Sequence, residues 1–415
     1  MPRHTTATAL LVLGSSFFTS LSPILMASGQ SVTPSCDFGP DALTNQFGGY
    51  PVPRTCVDVP FDDGTTTTVT ERCFYTYAPA SCASAEAVVP LVVNIHGRNG
   101  CPGLIAGYSG WIQKAEAECF VVMMPSSSMD PRFTESCWNL PGFAVDNDFG
   151  IPGGNNILTS PCCCATPEED ALGFFGIHPT PDDTTFLKMA IDSVLETFPT
   201  VPGVNLSLDA DRVYMAGHSN GCIAALATAA VHSETVAAVC CHAGALITPF
   251  DARNYPSPVP IWMVSGRQDT VIAYEGYAVE TPFGMAGLWS VDDTTEYLQA
   301  MNGCTSDTTV PFTDETTGEV AGSVRTGSGC ANDATVEILT LDESGHLIFP
   351  YVFDPSYGGS PTTVDTTSMA WEFCSAQAKT APPTPAPTTK SAKKSPKKGK
   401  KKDKKSKSDK KSSKS

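Results

Sequence analysis

The stretch DRVYMAGHSNGC, residues 211–222, decides the fold. Asp211–Ala216 reads as a strand, and Gly217-His218-Ser219-Asn220-Gly221 follows it at once. An Ala-rich segment from Cys222 to about His232 then reads as a helix. A strand that passes into a helix across so few residues must turn sharply. Such a turn holds its central serine in a strained conformation and aims the hydroxyl out of the sheet. The residues two before and two after the serine pack against neighbouring backbone and have to be small; both are glycine. The helix N-terminus behind Ser219 favours developing negative charge. One stretch therefore predicts a strand–turn–helix unit of an α/β sheet and a candidate nucleophile.

Outward from it, buried strands alternate with helices. Val88–Ile95 (VVPLVVNI) is an apolar run of strand length that ends at His96-Gly97-Arg98. A helical segment near Tyr108–Glu118 and a strand at Cys119–Met124 follow. From Asp182, apolar residues recur at three- and four-residue steps (Phe186, Met189, Ala190, Val194, Leu195, Phe198), the helical period. Asp182 and Asp183 stand where helix capping favours Asp. Val236–Cys240, Pro258–Ser265 and Thr335–Leu341 read as strands, Thr295–Met301 and Thr367–Ala376 as helices. This alternation indicates an α/β domain with a mainly parallel sheet. Before Val88 the chain is rich in Pro, Gly, Thr and Cys, with a strand expected over Thr66–Tyr77. Residues 126–181 are irregular and contain Cys162-Cys163-Cys164. They read either as a lid or substrate loop, or as a surface excursion pinned by disulfides.

A serine hydroxyl needs a base, and the base needs an orienting acid. On a sheet of this kind the chain order is Ser, then Asp or Glu, then His, the last two on loops after later strands. Asp269 follows the strand ending at Ser265, and His346 follows the strand ending at Leu341. Of the seven histidines, His4 lies near the N-terminus, His96 ends the early strand, and His218 sits inside the turn with its ring expected to face away from Ser219. His178 and His232 flank helices; His242 is the one serious rival to His346. Asp292 and Asp293 are the fallbacks for the acid. The oxyanion of an acyl-transfer intermediate needs backbone donors. They are expected from Asn220, after the nucleophile, and from the loop at His96-Gly97-Arg98.

In combination and order these blocks resemble the secreted serine esterases typified by polyhydroxybutyrate depolymerases, feruloyl esterases and acetylxylan esterases. The similar pieces are VVNIHGRNGC, CWNLPGF (137–143), DDTTFLKMAID (182–192), DADRVYMAGHSNG (209–221), PVPIWMVSGRQDTVIAYEG (258–276), NGC (302–304), ESGHLIFP (343–350) and WEF (371–373). They span about residues 85–375. The resemblance implies the α/β-hydrolase fold, with Ser219 as nucleophile, Asp269 as orienting acid and His346 as general base. It implies Arg98 and Asn220 as oxyanion donors through their amides, and a Cys101–Cys137 disulfide; Cys304–Cys330 is a second expected pair. The chain departs from the family in Glu343-Ser344 before His346, in Cys222 after Gly221, and in the 144–181 insertion. The implied activity is hydrolysis of a polyester, or of feruloyl or acetyl esters of polysaccharide. A silent wall- or mineral-binding protein on a hydrolase scaffold, and a serine peptidase of the same fold, are the alternatives.

Composition bounds the rest. With 41% hydrophobic and 17% charged residues, 415 residues can bury a large core, which excludes a wholly disordered chain. No apolar run is long enough for a membrane span, which excludes a multi-pass membrane protein. Arg3 and His4 precede an apolar stretch from Ala9 to Met26 and the small residues Ala27, Ser28 and Gly29, which reads as a secretory signal peptide over residues 1–28. Sixteen cysteines without repeated CxxC pairs agree with an oxidising, extracellular compartment and not with a zinc ribbon. No cluster at metal-ligand spacing is present, so neither metal nor cofactor is expected. Cys222, Cys240 and Cys241 fall in buried elements, where free core thiols are as well expected as bridges. Asn205-Leu206-Ser207 is an N-glycosylation sequon. Trp138, Trp289 and Tyr274 are candidates to line a substrate groove, against the commoner fate of core packing.

The hydrolase domain is expected over residues 29–378, followed by a stiff Pro/Thr linker at 379–389. Residues 390–415 hold 14 Lys and 2 Asp and are expected to be disordered. The chain's net charge of -17 thus divides into +12 there and -29 over residues 1–389. An acidic body argues against nucleic acid as a partner. The Lys/Ser tail reads as a plain solvated tail, or as a tether to anionic cell-wall polymer or silica.

Overall fold

The computed structural model describes residues 54–62, 67–130, 135–138, 183–198, 203–248, 257–281 and 284–379. The predicted signal peptide, the Cys162–Cys164 run, the linker beyond Lys379 and the Lys-rich tail lie outside them. So do most of the predicted irregular insertion and His178.

A ten-stranded sheet organises the unit. Its strands, in chain order, are β1 (Arg54–Asp62), β2 (Thr67–Tyr77), β3 (Val88–Ile95), β4 (Val121–Pro125), β7 (Ser207–His218), β8 (Ala238–His242), β10 (Ile261–Gly266), β13 (Ser306–Thr313), β14 (Val320–Ser328) and β15 (Val336–Leu341). Two short pieces, β5 (Ser128–Asp130) and β6 (Glu135–Cys137), form a hairpin, and β9 (Ile247–Thr248), β11 (Tyr277–Thr281) and β12 (Gly284–Leu288) form a small second sheet. Across the large sheet the order is β1-β2-β4-β3-β7-β8-β10-β15-β14-β13. The six strands from β4 to β15 are parallel, and the two at either edge are joined to them and to each other by antiparallel pairing.

Helices cover both faces, as a parallel sheet requires. In chain order they are α1 (Pro102–Tyr108), α2 (Trp111–Glu118), α3 (Asp183–Thr197), α4 (Asn220–Val231), α5 (Val291–Met301) and α6 (Thr366–Ser375). Two separate apolar cores result. One packs α3, α4 and α5 against Val93, Met215, Cys241 and Met263; the other packs α1, α2 and α6 against Val92, Tyr214, Cys240 and Trp262. Adjacent strand residues alternate between the two cores, as the pleat dictates. With its parallel centre, two helical layers and the turn between β7 and α4, this is the α/β-hydrolase fold.

Where sequence reading and structure differ, the causes are local. The single helix expected near 108–118 is two, because Gly110 takes a left-handed φ of 76° between α1 and α2. Helix α5 begins four residues before the expected Thr295, at Val291, where the Ser290 hydroxyl accepts a hydrogen bond from the Asp293 amide. The β13–β14 hairpin was not legible as strands. Nearly every residue of SDTTVPFT is exposed, so no alternation marks a buried face. Asp183 does more than begin α3: it is fully buried and ion-paired with Arg72, whose guanidinium also lies 4.3 Å from the centre of the Phe186 ring.

Of the two readings of the core cysteines, free thiols or bridges, the structure shows bridges at all three positions. Cys222 bridges to Cys241, and Cys240 to Cys374. Neighbouring cysteines on β8 point to opposite faces, so each reaches the helix on its own side, α4 or α6. Cys304 pairs with Cys330 as expected; Cys56–Cys73 joins β1 to β2, and Cys82–Cys119 joins the loop before β3 to the end of α2.

Candidate active site

Parallel strands bring their C-terminal ends to one edge of the sheet, and four of those ends meet here: β3, β7, β10 and β15. Ser219 sits at the tip of the β7–α4 turn with φ 58° and ψ -125°, a conformation that costs a non-glycine residue energy. Two features hold it there. The Ser219 amide donates to the His242 carbonyl at 2.9 Å. The turn is also closed by Gly217 and Gly221: a Cβ on Gly217 would lie 2.3 Å from the Gly221 carbonyl oxygen, and one on Gly221 2.2 Å from that of Ile95. Both positions therefore have to be glycine.

Asp269 and His346 come together on the loops after β10 and β15. His346 Nδ1 donates to Asp269 Oδ2 at 2.7 Å, and both side chains are almost fully buried. The other carboxylate oxygen, Oδ1, accepts from the amides of Val271 and Ile272 at 2.7 and 2.8 Å. With Nδ1 committed as donor, the ring's Nε2 is the basic nitrogen. The His346 backbone is fixed as well: its amide donates to the Tyr357 carbonyl at 2.9 Å, and its carbonyl accepts from His218 Nε2 at 2.9 Å. The Tyr357 ring stacks on its imidazole.

His218, next to the serine, thus ties the nucleophile turn to the histidine loop. Its Nδ1 accepts from the Tyr108 hydroxyl at 3.0 Å, which leaves the proton on Nε2. Burial lowers its pKa well below the ordinary histidine value, so the ring stays neutral. His242, the rival base, lies in the core with its ring stacked on Phe349 at 4.2 Å. Burial lowers its pKa to about 3, against a small opposing pull from the Thr366 backbone. What it gives the site is its carbonyl. The fallback acids are engaged elsewhere: Asp292 faces Arg325 and Tyr274, and Asp293 bonds the Ser290 hydroxyl.

The loop after β3 passes against the serine: a Cβ on Gly97 would meet Ser219 Cβ at 3.1 Å. Arg98, exposed, follows it. His96 braces this loop from within. Its Nδ1 donates to the Gly97 carbonyl at 2.8 Å and its Nε2 accepts from the Ser127 amide at 3.2 Å, and burial lowers its pKa to about 4. Asn220 is the first residue of α4, where amides have no intrahelical acceptor.

Of its two readings, groove lining or core packing, Trp138 takes the core. It is completely buried, and its indole Nε1 donates to the His96 carbonyl at 2.7 Å while its amide donates to Asn220 Oδ1 at 2.9 Å. Tyr274 is buried too, bonded to Thr340 and stacked under the Arg267 guanidinium. Trp289 packs edge-on against Tyr297. Sequence reading missed the polar roles of Trp138, Tyr108 and Tyr357. The CWN block was the one available signal for the first; the other two depend on contacts more than a hundred or about ten residues away that no local pattern shows. Cys101 is disulfide-bonded; the side chain of Cys137 lies outside the described residues, and the Cys101–Cys137 pairing stays a proposal. Asn205 of the sequon is exposed.

No family model matches the chain, and no curated protein matches it. Solved structures similar to it include an acetyl xylan esterase from Aspergillus awamori, 14% identical with a TM-score of 0.45, covering 78% of this chain and 99% of that one. A thermostable esterase is 15% identical with a TM-score of 0.37, covering 78% and 63%. A dienelactone hydrolase-like promiscuous phosphotriesterase from metagenomic libraries is 12% identical with a TM-score of 0.37, covering 79% and 99%.

Proposed function

We propose that the protein is a secreted serine carboxylester hydrolase that works through an acyl-enzyme. The observation that carries this reading is the buried, hydrogen-bonded His346–Asp269 pair, whose histidine loop is tied through His218 to the turn that holds the strained Ser219. Ser219 Oγ attacks the ester carbonyl as His346 Nε2 takes its proton. Asp269, held by two backbone amides, keeps the imidazole in the required tautomer and stabilises the imidazolium. The amides of Arg98 and Asn220 receive the oxyanion. His346 then protonates the leaving alcohol, and water, deprotonated by the same histidine, releases the acid. Polyesters and the feruloyl or acetyl esters of polysaccharides are the proposed substrates. The Lys-rich tail is proposed to hold the enzyme on an anionic wall polymer or mineral.

Ser219→Ala should lower hydrolysis of a nitrophenyl ester by at least about a thousandfold with the fold intact by circular dichroism. A fluorophosphonate should label the native protein and not the variant. Full turnover in the variant would refute the reading. Failure of the native protein to label or turn over would favour the silent scaffold. A panel of hydroxybutyrate oligomers, feruloyl and acetyl sugars and short peptides then decides the substrate.

A further inference from the structure

Oxyanion stabilisation by backbone amides needs two donors at a fixed separation. Here the two come from segments far apart in sequence, the loop after β3 and the first turn of α4. The strap at residues 136–138 lies across both. The Asn99 amide donates to the Ser136 carbonyl at 2.7 Å, and the Ser136 hydroxyl donates to the Gly100 carbonyl. Two residues on, Trp138 makes one bond to each segment: its indole Nε1 to the His96 carbonyl and its amide to Asn220 Oδ1. The Trp138 ring also meets the His96 ring, 5.0 Å between centres. An amide N–H can only donate, so it fixes which way the Asn220 side chain points; Nδ2 has no acceptor among the described residues.

We infer that Trp138 is a positioning residue that sets the distance between the two oxyanion donors, Arg98 and Asn220, by clamping His96 to Asn220. This rests on the esterase reading above. The clamp acts through other residues and touches no reacting atom. Its effect belongs to the tetrahedral state and not to the bound ester, because the donors are aimed at the oxygen only as it becomes charged.

Two substitutions test it. Trp138→Phe keeps an aromatic ring and the amide and removes the indole N–H. Asn220→Ala keeps the oxyanion amide and removes the acceptor for Trp138. Each should lower kcat about ten- to a hundredfold with KM for a nitrophenyl ester within about threefold. Each should weaken binding of a boronic acid, which mimics the tetrahedral state, by the same factor as kcat/KM. The double variant should be no worse than the poorer single, since both cut one connection. A purely structural role would instead lower the melting temperature and raise KM, leaving boronate affinity tied to KM. If Trp138→Phe does not fold, Asn220→Ala decides. A folded variant with kcat within twofold of native, or a loss confined to KM, overturns the inference. If Ser219→Ala is dead while the Trp138 and Asn220 variants are fully active, only the clamp falls; if Ser219→Ala is active, the esterase reading falls with it.

Discussion

His96, His218 and His242 are neutral because they are buried, and that fixes how the protein responds to acid. In the unfolded chain each would titrate near pH 6.5. In the folded state His96 and His242 do so at about 4 and about 3, and His218 well below its ordinary value. Between these limits the unfolded state binds more protons, so stability falls as pH falls. The stabilisation is complete above the unfolded value and is lost downward from it. His96 and His242 each account for about 2 kcal/mol between pH 6.5 and 5, at 1.36 kcal/mol per unit. His242 is the cleanest to remove, since its ring has no well-formed hydrogen bond among the described residues and stacks on Phe349. His242→Phe should flatten the fall in unfolding free energy between pH 7 and 5 by about 2 kcal/mol in urea titrations. An unchanged slope would show that the ring titrates normally in the fold. At this scale the sequence was most readable where a residue follows a buried strand, as Ser219, Asp269 and His346 do. The partners that orient them were not readable. The His242 carbonyl acts on the Ser219 amide, a group every residue but proline carries, and the Tyr108 hydroxyl acts through His218 from 110 residues away, so neither leaves a local pattern.

Elements were legible in proportion to how far their burial imposes a period. The parallel strands, apolar throughout, and α3, with its three- and four-residue steps, stood out. The exposed β13 did not. The cysteines of β8 show what a pattern at the level of one element can hide. Two adjacent cysteines look redundant in sequence, yet the pleat sends Cys241 to α4 and Cys240 to α6, so the sheet is pinned to both helical layers at one point. The two bridges close loops of very different length, 19 and 134 residues apart in sequence. In the chain-entropy account the longer loop stabilises more, about 5 kcal/mol against about 3. Cys374→Ala should therefore lower the urea-derived unfolding free energy by about 3–5 kcal/mol, measured beside native protein kept oxidised. A loss below about 1 kcal/mol would mean that α6 is held by its packing alone, through Trp371 on Phe120 and Tyr214.

At the scale of the whole molecule, the question is what a +12 tail does on an otherwise acidic chain. The last described residue, Lys379, is tied down: its amide donates to the Asp211 carbonyl at 2.9 Å and its Nζ to the Glu234 carbonyl at 3.2 Å. Asp211 lies seven residues before His218 on β7, about 23 Å along an extended strand at about 3.3 Å per residue. Lys379 is therefore held at the far end of the strand that presents Ser219. Fourteen lysines attract a polyanion together, yet each is screened within about 10 Å at 0.1 M salt. Such a tail suits localisation and not the chemistry of a small ester. Truncation after Lys379 keeps its anchoring bonds, so it should leave kcat and KM for a soluble nitrophenyl ester within about twofold of the native values. It should abolish adsorption to silica or acidic polysaccharide, and native adsorption should weaken steeply between 0.05 and 0.5 M salt, roughly a threefold shortening of the screening length. A several-fold loss of soluble-ester turnover on truncation would give the tail a part in the site. Adsorption that survives both truncation and high salt would place the attachment on the acidic body.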